Sequence, residues 1–65
     1  MTIGEKIKEL RSALGWTQRD LSIASDVTAE SISRLENGHT DTPNKPTLKA
    51  ISAALGVTVE ELKGE

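Results

Sequence analysis

Apolar residues recur along the chain at the spacing of one helix face, in several short runs. Ile3, Ile7, Leu10 and Leu14 are separated by four, three and four residues. That places them on one side of a helix, with Glu5, Lys6, Lys8, Glu9 and Arg11 mostly elsewhere around it. Thr2 is placed to cap the start, and Gly15 suits the left-handed position that ends it. The spacing predicts a first helix over residues 2–14.

The next starts are marked by paired signals. Thr17-Gln18-Arg19-Asp20 reads as a capping box with Asp as the shorter third-position partner. Trp16 before the cap and Leu21 after it have the hydrophobic-staple spacing, so a second helix is expected over 17–25. Ser25-Asp26-Val27 reads as a turn. Thr28 then caps a third helix over 28–37, with Val27 and Ile32 as its staple, Ile32 and Leu35 as its buried stripe, and Asn37-Gly38 as its stop. Residues His39 to Pro43 are polar and read as a loop. Asn44 is a good N-cap and Pro46 fits only a first turn. A fourth helix is therefore expected over 44–55, with Leu48, Ile51 and Leu55 inward and Ala54 in support. Thr58-Val59-Glu60-Glu61 reads as a full capping box, with Val57 and Leu62 as a third staple, opening a fifth helix over 58–63. No segment alternates with period two, and there is no repeat or low-complexity linker. The expectation is an all-α chain of five short helices, one domain over residues 1–65, with a helix-turn-helix unit at about 17–37.

Composition narrows what such a bundle does. Sixty-five residues, 35% hydrophobic and with Trp16 as the only aromatic, allow one thin core and no large cleft. Cysteine is absent, so disulfides and thiolate metal sites are excluded, and a cytoplasmic location is expected. His39 has no second histidine with which to share a metal. No apolar run approaches the roughly 20 residues that span a bilayer. The net charge is −2, so charge alone does not nominate a nucleic acid. The acidic excess falls in residues 51–65, where Glu60, Glu61 and Glu65 face a single Lys63.

Enzymatic constellations are not evident. The carboxylates are spread over helix surfaces and caps, His39 stands alone on a polar loop, and no glycine-rich phosphate loop follows a strand. No catalytic residue, metal, cofactor or small-molecule substrate is expected. The informative stretch is Gln18 to Asn37, two short helices joined by a tight turn and each stapled before its cap. In this arrangement the second helix presents its early outward residues to a major groove. Those residues are Thr28, Ala29, Glu30, Ser31, Ser33 and Arg34, none of them bulky and apolar.

Several segments together resemble the phage repressor/Cro-type (Xre-type) helix-turn-helix family. They are Ile3-Gly4-Glu5-Lys6-Ile7-Lys8-Glu9-Leu10-Arg11, Trp16-Thr17-Gln18-Arg19-Asp20-Leu21, the run Val27 to Gly38, and the run Thr47 to Thr58. Each piece is weak alone; their order and spacing over nearly the whole chain are specific. The resemblance implies a compact five-helix repressor-like bundle and a bacterial or phage-encoded regulator, located with the nucleoid. It also implies binding of palindromic double-stranded operators as a homodimer, at least on DNA.

Position by position, the resemblance implies that Gln18 meets a DNA phosphate and that Ala29, Glu30 and Arg34 read bases, with Ser31 beside them. Thr17 and Asn37 match backbone-contacting positions; Thr28, Ser33 and His39 are further candidates for backbone contact. Arg11 and Glu36 match an ion pair that ties the first helix to the end of the third. The sequence also departs from the pattern. Asp26 stands where the turn usually has Gly, and Ser22 where a small apolar residue is common, so Ser22 is expected to be buried and to bond back to the carbonyl four residues earlier. Asp41 stands in a lengthened loop where a basic residue is frequent. Val59 is the candidate for a dimer contact. A second class of function also fits, an antitoxin-like or other protein-interaction module, for which an exposed Ile23 and Val59 would be the hints.

Overall fold

The structure, a computed structural model, describes residues 2–38 and 44–64. Each helix begins where a side chain captures a backbone amide that would otherwise lack an acceptor. Five helices result among the described residues: α1 (Ile3–Ala13), α2 (Gln18–Ser25), α3 (Ala29–Glu36), α4 (Lys45–Leu55) and α5 (Val59–Lys63). Thr2, Thr17, Thr28 and Thr58 accept through their hydroxyls from Glu5, Asp20, Ser31 and Glu61 N–H, each at 3.1 Å, and Asn44 Oδ1 accepts from Thr47 N–H at 2.9 Å. No strand occurs among the described residues.

The boxes at α1 and α2 are reciprocal: Thr2 N–H donates to Glu5, and Thr17 N–H to Asp20. The full box expected at Thr58 and Glu61 is only half made. The Thr58 hydroxyl accepts from Glu61 N–H, while Glu61 itself is exposed, so water competes for its carboxylate.

One core unites the helices. Ile7, Leu21, Ile32, Leu35, Leu48, Ile51, Leu55 and Leu62 are buried in a single cluster. Trp16, Val27 and Val57 pack against its rim, so each staple joins a rim residue to a fully buried Leu21, Ile32 or Leu62. Burying one such side chain contributes roughly 1.5–3 kcal/mol, which is substantial for helices of five to eight residues that would not persist alone. α3 packs between α1 and α2, α4 lies against α2, and α5 closes on α1 and α4.

Three expectations are corrected. Leu14 was expected on the inner face of the first helix, but it is the C-cap and 49% exposed; the apolar contact at this end is made by Trp16. The back-bonding serine is Ser25, not Ser22. Ser25, at the expected end of α2, is buried and donates to Leu21 O at 2.7 Å. Ser22 is only partly buried, one helical step away from the face that Leu21 and Ser25 share. Val59 is not exposed: it is partly buried and packed against the core, because α5 is short and lies close on the bundle.

Candidate nucleic-acid interface

The turn between α2 and α3 is built from its own residues. Asp26 takes the left-handed conformation, φ 60° and ψ 26°, the one non-glycine residue with positive φ among those described. An aspartate tolerates this better than most side chains. Its N–H donates to Ser22 O at 2.9 Å. The Ser25 hydroxyl, while donating to Leu21 O, accepts from Val27 N–H at 3.3 Å. Thr28 then caps α3 and also donates from its hydroxyl to Ser31 Oγ at 2.8 Å. Ser25 is thus a buried joint that fixes the angle between the two helices. Its signal in the sequence was its spacing of four from Leu21, on the same face.

This joint turns α3 so that Ile32 and Leu35 are buried while Ala29, Glu30, Ser31 and Arg34 are exposed. Arg34 Nη2 lies 3.0 Å from Glu30 Oε1, one turn away, with side chains 64% and 76% exposed respectively. Such an exposed pair contributes about 0–1 kcal/mol and exchanges readily with other partners. Thr28 is exposed at the start of α3, and Asn37 is exposed at its end, donating to the part-buried Ser33 at 3.3 Å. Thr17 is exposed and Gln18 is part-buried at the start of α2. His39, Asp41 and the loop near Pro43 lie outside the described residues.

Behind this face Arg11 binds three oxygens. Its Nε and Nη2 donate to the two carboxylate oxygens of Glu36 at 2.8 and 2.9 Å, and Nη1 donates to Trp16 O at 2.7 Å. The Glu36 side chain is only 3% exposed. Burial pushes its pKa up, but the hydrogen bonds from Arg11 and Gln18 and the charges of Arg11 and Lys8 outweigh this and leave it below the usual value. The same hydrogen bonding raises Arg11. Gln18 Nε2 donates to Glu36 Oε1 at 3.2 Å, a contact that joins the start of α2 to the end of α3 and that residue spacing did not reveal.

The geometry is that of two helices crossed at a fixed turn, the second with a polar outer face. The helix-turn-helix family profile matches residues 7–62. The chain is 37% identical over 59 residues to an uncharacterized HTH-type transcriptional regulator, RghRB, of Bacillus subtilis, covering 91% of this chain and 42% of that protein. It is 36% identical over 61 residues to the HTH-type transcriptional repressor RghR of the same organism, covering 94% and 45%. It is 32% identical over 62 residues to the HTH-type transcriptional regulator DdrOP3 of Deinococcus deserti, covering 95% and 47%. The chain therefore spans less than half the length of these relatives. No solved structure matches it significantly. Profile, relatives and geometry agree that the chain belongs to the helix-turn-helix family of the phage repressor/Cro (Xre) type.

Proposed function

We propose that the chain binds double-stranded DNA sequence-specifically as a transcription regulator, with α3 in the major groove. The observation that carries this reading is the two-sidedness of α3: Ile32 and Leu35 anchor it, and Ala29, Glu30, Ser31 and Arg34 are exposed on its outer face. An arginine fork suits guanine O6 and N7, and a glutamate can accept from a cytosine amine. Gln18 and Thr17 at the start of α2, with Thr28, Ser33 and Asn37 along α3 and His39 following in the sequence, would hold phosphates and set the register. The likeness to HTH-type transcriptional regulators of Bacillus subtilis supports the same reading. Its work is binding rather than catalysis, in the cytoplasm at the nucleoid. No described helix is long and apolar enough to cross a membrane.

One α3 reads few base pairs, so the reading includes a homodimer on a palindromic operator, with half-sites about one helical turn apart. Val59, half-covered on α5, is the proposed contact. Selection of bound duplexes from a random-sequence pool tests the proposal. A two-fold symmetric motif is the expected product; a pool that remains unenriched after repeated rounds would overturn it.

A further inference from the structure

We propose that Glu36 is a positioning residue for the DNA contact made by Gln18; the inference rests on the DNA-binding reading above. Gln18 is the first residue of α2, where the leading amides have no acceptor within the helix. Asp20 N–H is taken by the Thr17 hydroxyl and Leu21 N–H by Thr17 O, so the Gln18 and Arg19 amides stand at the open end. A Gln18 side chain free to rotate would spend little time beside them.

Glu36 removes that freedom. Its carboxylate is held from behind by two Arg11 donors, and its Oε1 accepts one N–H of the Gln18 amide at 3.2 Å. The amide cannot turn over, since its oxygen would then face a carboxylate. The second N–H of the same nitrogen is therefore directed away from Glu36 and remains available for an anionic oxygen. Arg11 completes the arrangement by holding Trp16 O, the backbone just before α2. One buried ion pair thus fixes both the backbone approach to α2 and the side chain at its first position. Preorganisation of this kind strengthens a contact by lowering its ordering cost, without adding a new one.

The test uses the wild-type chain, Gln18→Ala, Glu36→Gln and the double variant, at a temperature where circular dichroism shows each folded. The probe is a duplex selected by the wild type from a random pool. Gln18→Ala should weaken wild-type binding about tenfold or more, the size of one hydrogen bond to an anionic oxygen, and should weaken Glu36→Gln binding by less than about twofold. The same loss in both backgrounds would overturn the proposal while leaving the DNA-binding reading intact. Failure of the wild type to bind any duplex would overturn both. Should Glu36→Gln not fold, Glu36→Asp keeps the charge but shortens the reach, and the same cycle applies. Gln18 is the only glutamine in the sequence, so its side-chain amide is a clean NMR probe in the free wild type. An order parameter above about 0.6 is expected, and a flexible amide would overturn the proposal without any variant.

Discussion

Gly4 in α1 packs directly on the backbone carbonyl of Leu35 in α3. A Cβ at Gly4 would lie 2.9 Å from the Leu35 carbonyl carbon, closer still to its oxygen, and 3.1 Å from Glu36 Cα. These are backbone atoms, so no side chain can swing aside. Alanine is the better helix former by roughly 1 kcal/mol, yet Gly4→Ala must push α1 away from α3. A net loss of about 1–3 kcal/mol is expected, as for an overpacked core, read from the midpoint of urea unfolding. An unchanged or raised midpoint would mean that the two helices are free to part.

Glu36→Ala leaves the Arg11 guanidinium without its carboxylate in a part-buried site. Breaking one partner of such a pair costs up to about 3–5 kcal/mol. Glu30→Ala, which breaks an exposed pair, should cost no more than about 1 kcal/mol. Equal unfolding curves for the two variants would contradict the difference in burial.

Acid should act through the same carboxylate. Glu36 is held below its ordinary value of 4.5 in the folded state. The stability it contributes is therefore complete above that ordinary value and is lost as pH falls through the lower, folded one. The stability gap between wild type and Glu36→Gln should be full near neutrality and shrink as pH falls below the ordinary value of 4.5. A gap that widens in acid would reverse the sign and require another group.

Asp26 has φ 60°, where glycine carries no side-chain penalty. Asp26→Gly should be neutral or stabilising by up to about 1 kcal/mol, whereas Asp26→Val should destabilise by at least that much. Thermal unfolding of both variants reads the outcome, and a tolerated valine would show that the turn adopts another conformation.

Readout and anchoring separate in the binding profile. Arg34→Ala should flatten the preference at one base pair, worth roughly 1–3 kcal/mol there. Gln18→Ala should weaken all sequences by a similar factor and leave the salt dependence nearly unchanged, because no charge is removed. Arg34 must leave Glu30, 3.0 Å away, to reach a base. If every base preference survives Arg34→Ala, discrimination comes from Glu30, Ser31 or DNA shape.

The starts of all five helices were legible because a cap is a local device: Thr17, Thr28 and Asn44 act within three residues of themselves. The staples were legible for the same reason. The resemblance supplied the Arg11–Glu36 pair, which no local spacing contains. Gly4 was opaque, since its reason lies in the carbonyl of Leu35, far along the chain; within α1 it reads only as a weak helix former. Leu14 continued the period of α1, but periodicity does not show where a partner helix ends. Ser22 and Ser25 look alike in composition, and only the burial of the Leu21 face separates them. The exposed face of α3 was legible, but the hold of Glu36 on Gln18 required the ends of two helices to meet.

The turn at Asp26 has a consequence for assembly. Its left-handed residue, the Ser25 hydroxyl and the Thr28 cap draw on residues within a few positions of one another. The angle between α2 and α3 is therefore specified locally and needs no contact between distant parts of the chain to be defined. Closure of short loops takes tens of nanoseconds, and helical proteins rich in local contacts fold in microseconds to milliseconds. Local contacts thus set the geometry of α2 against α3, and α1, α4 and α5 supply the burial that makes it persist.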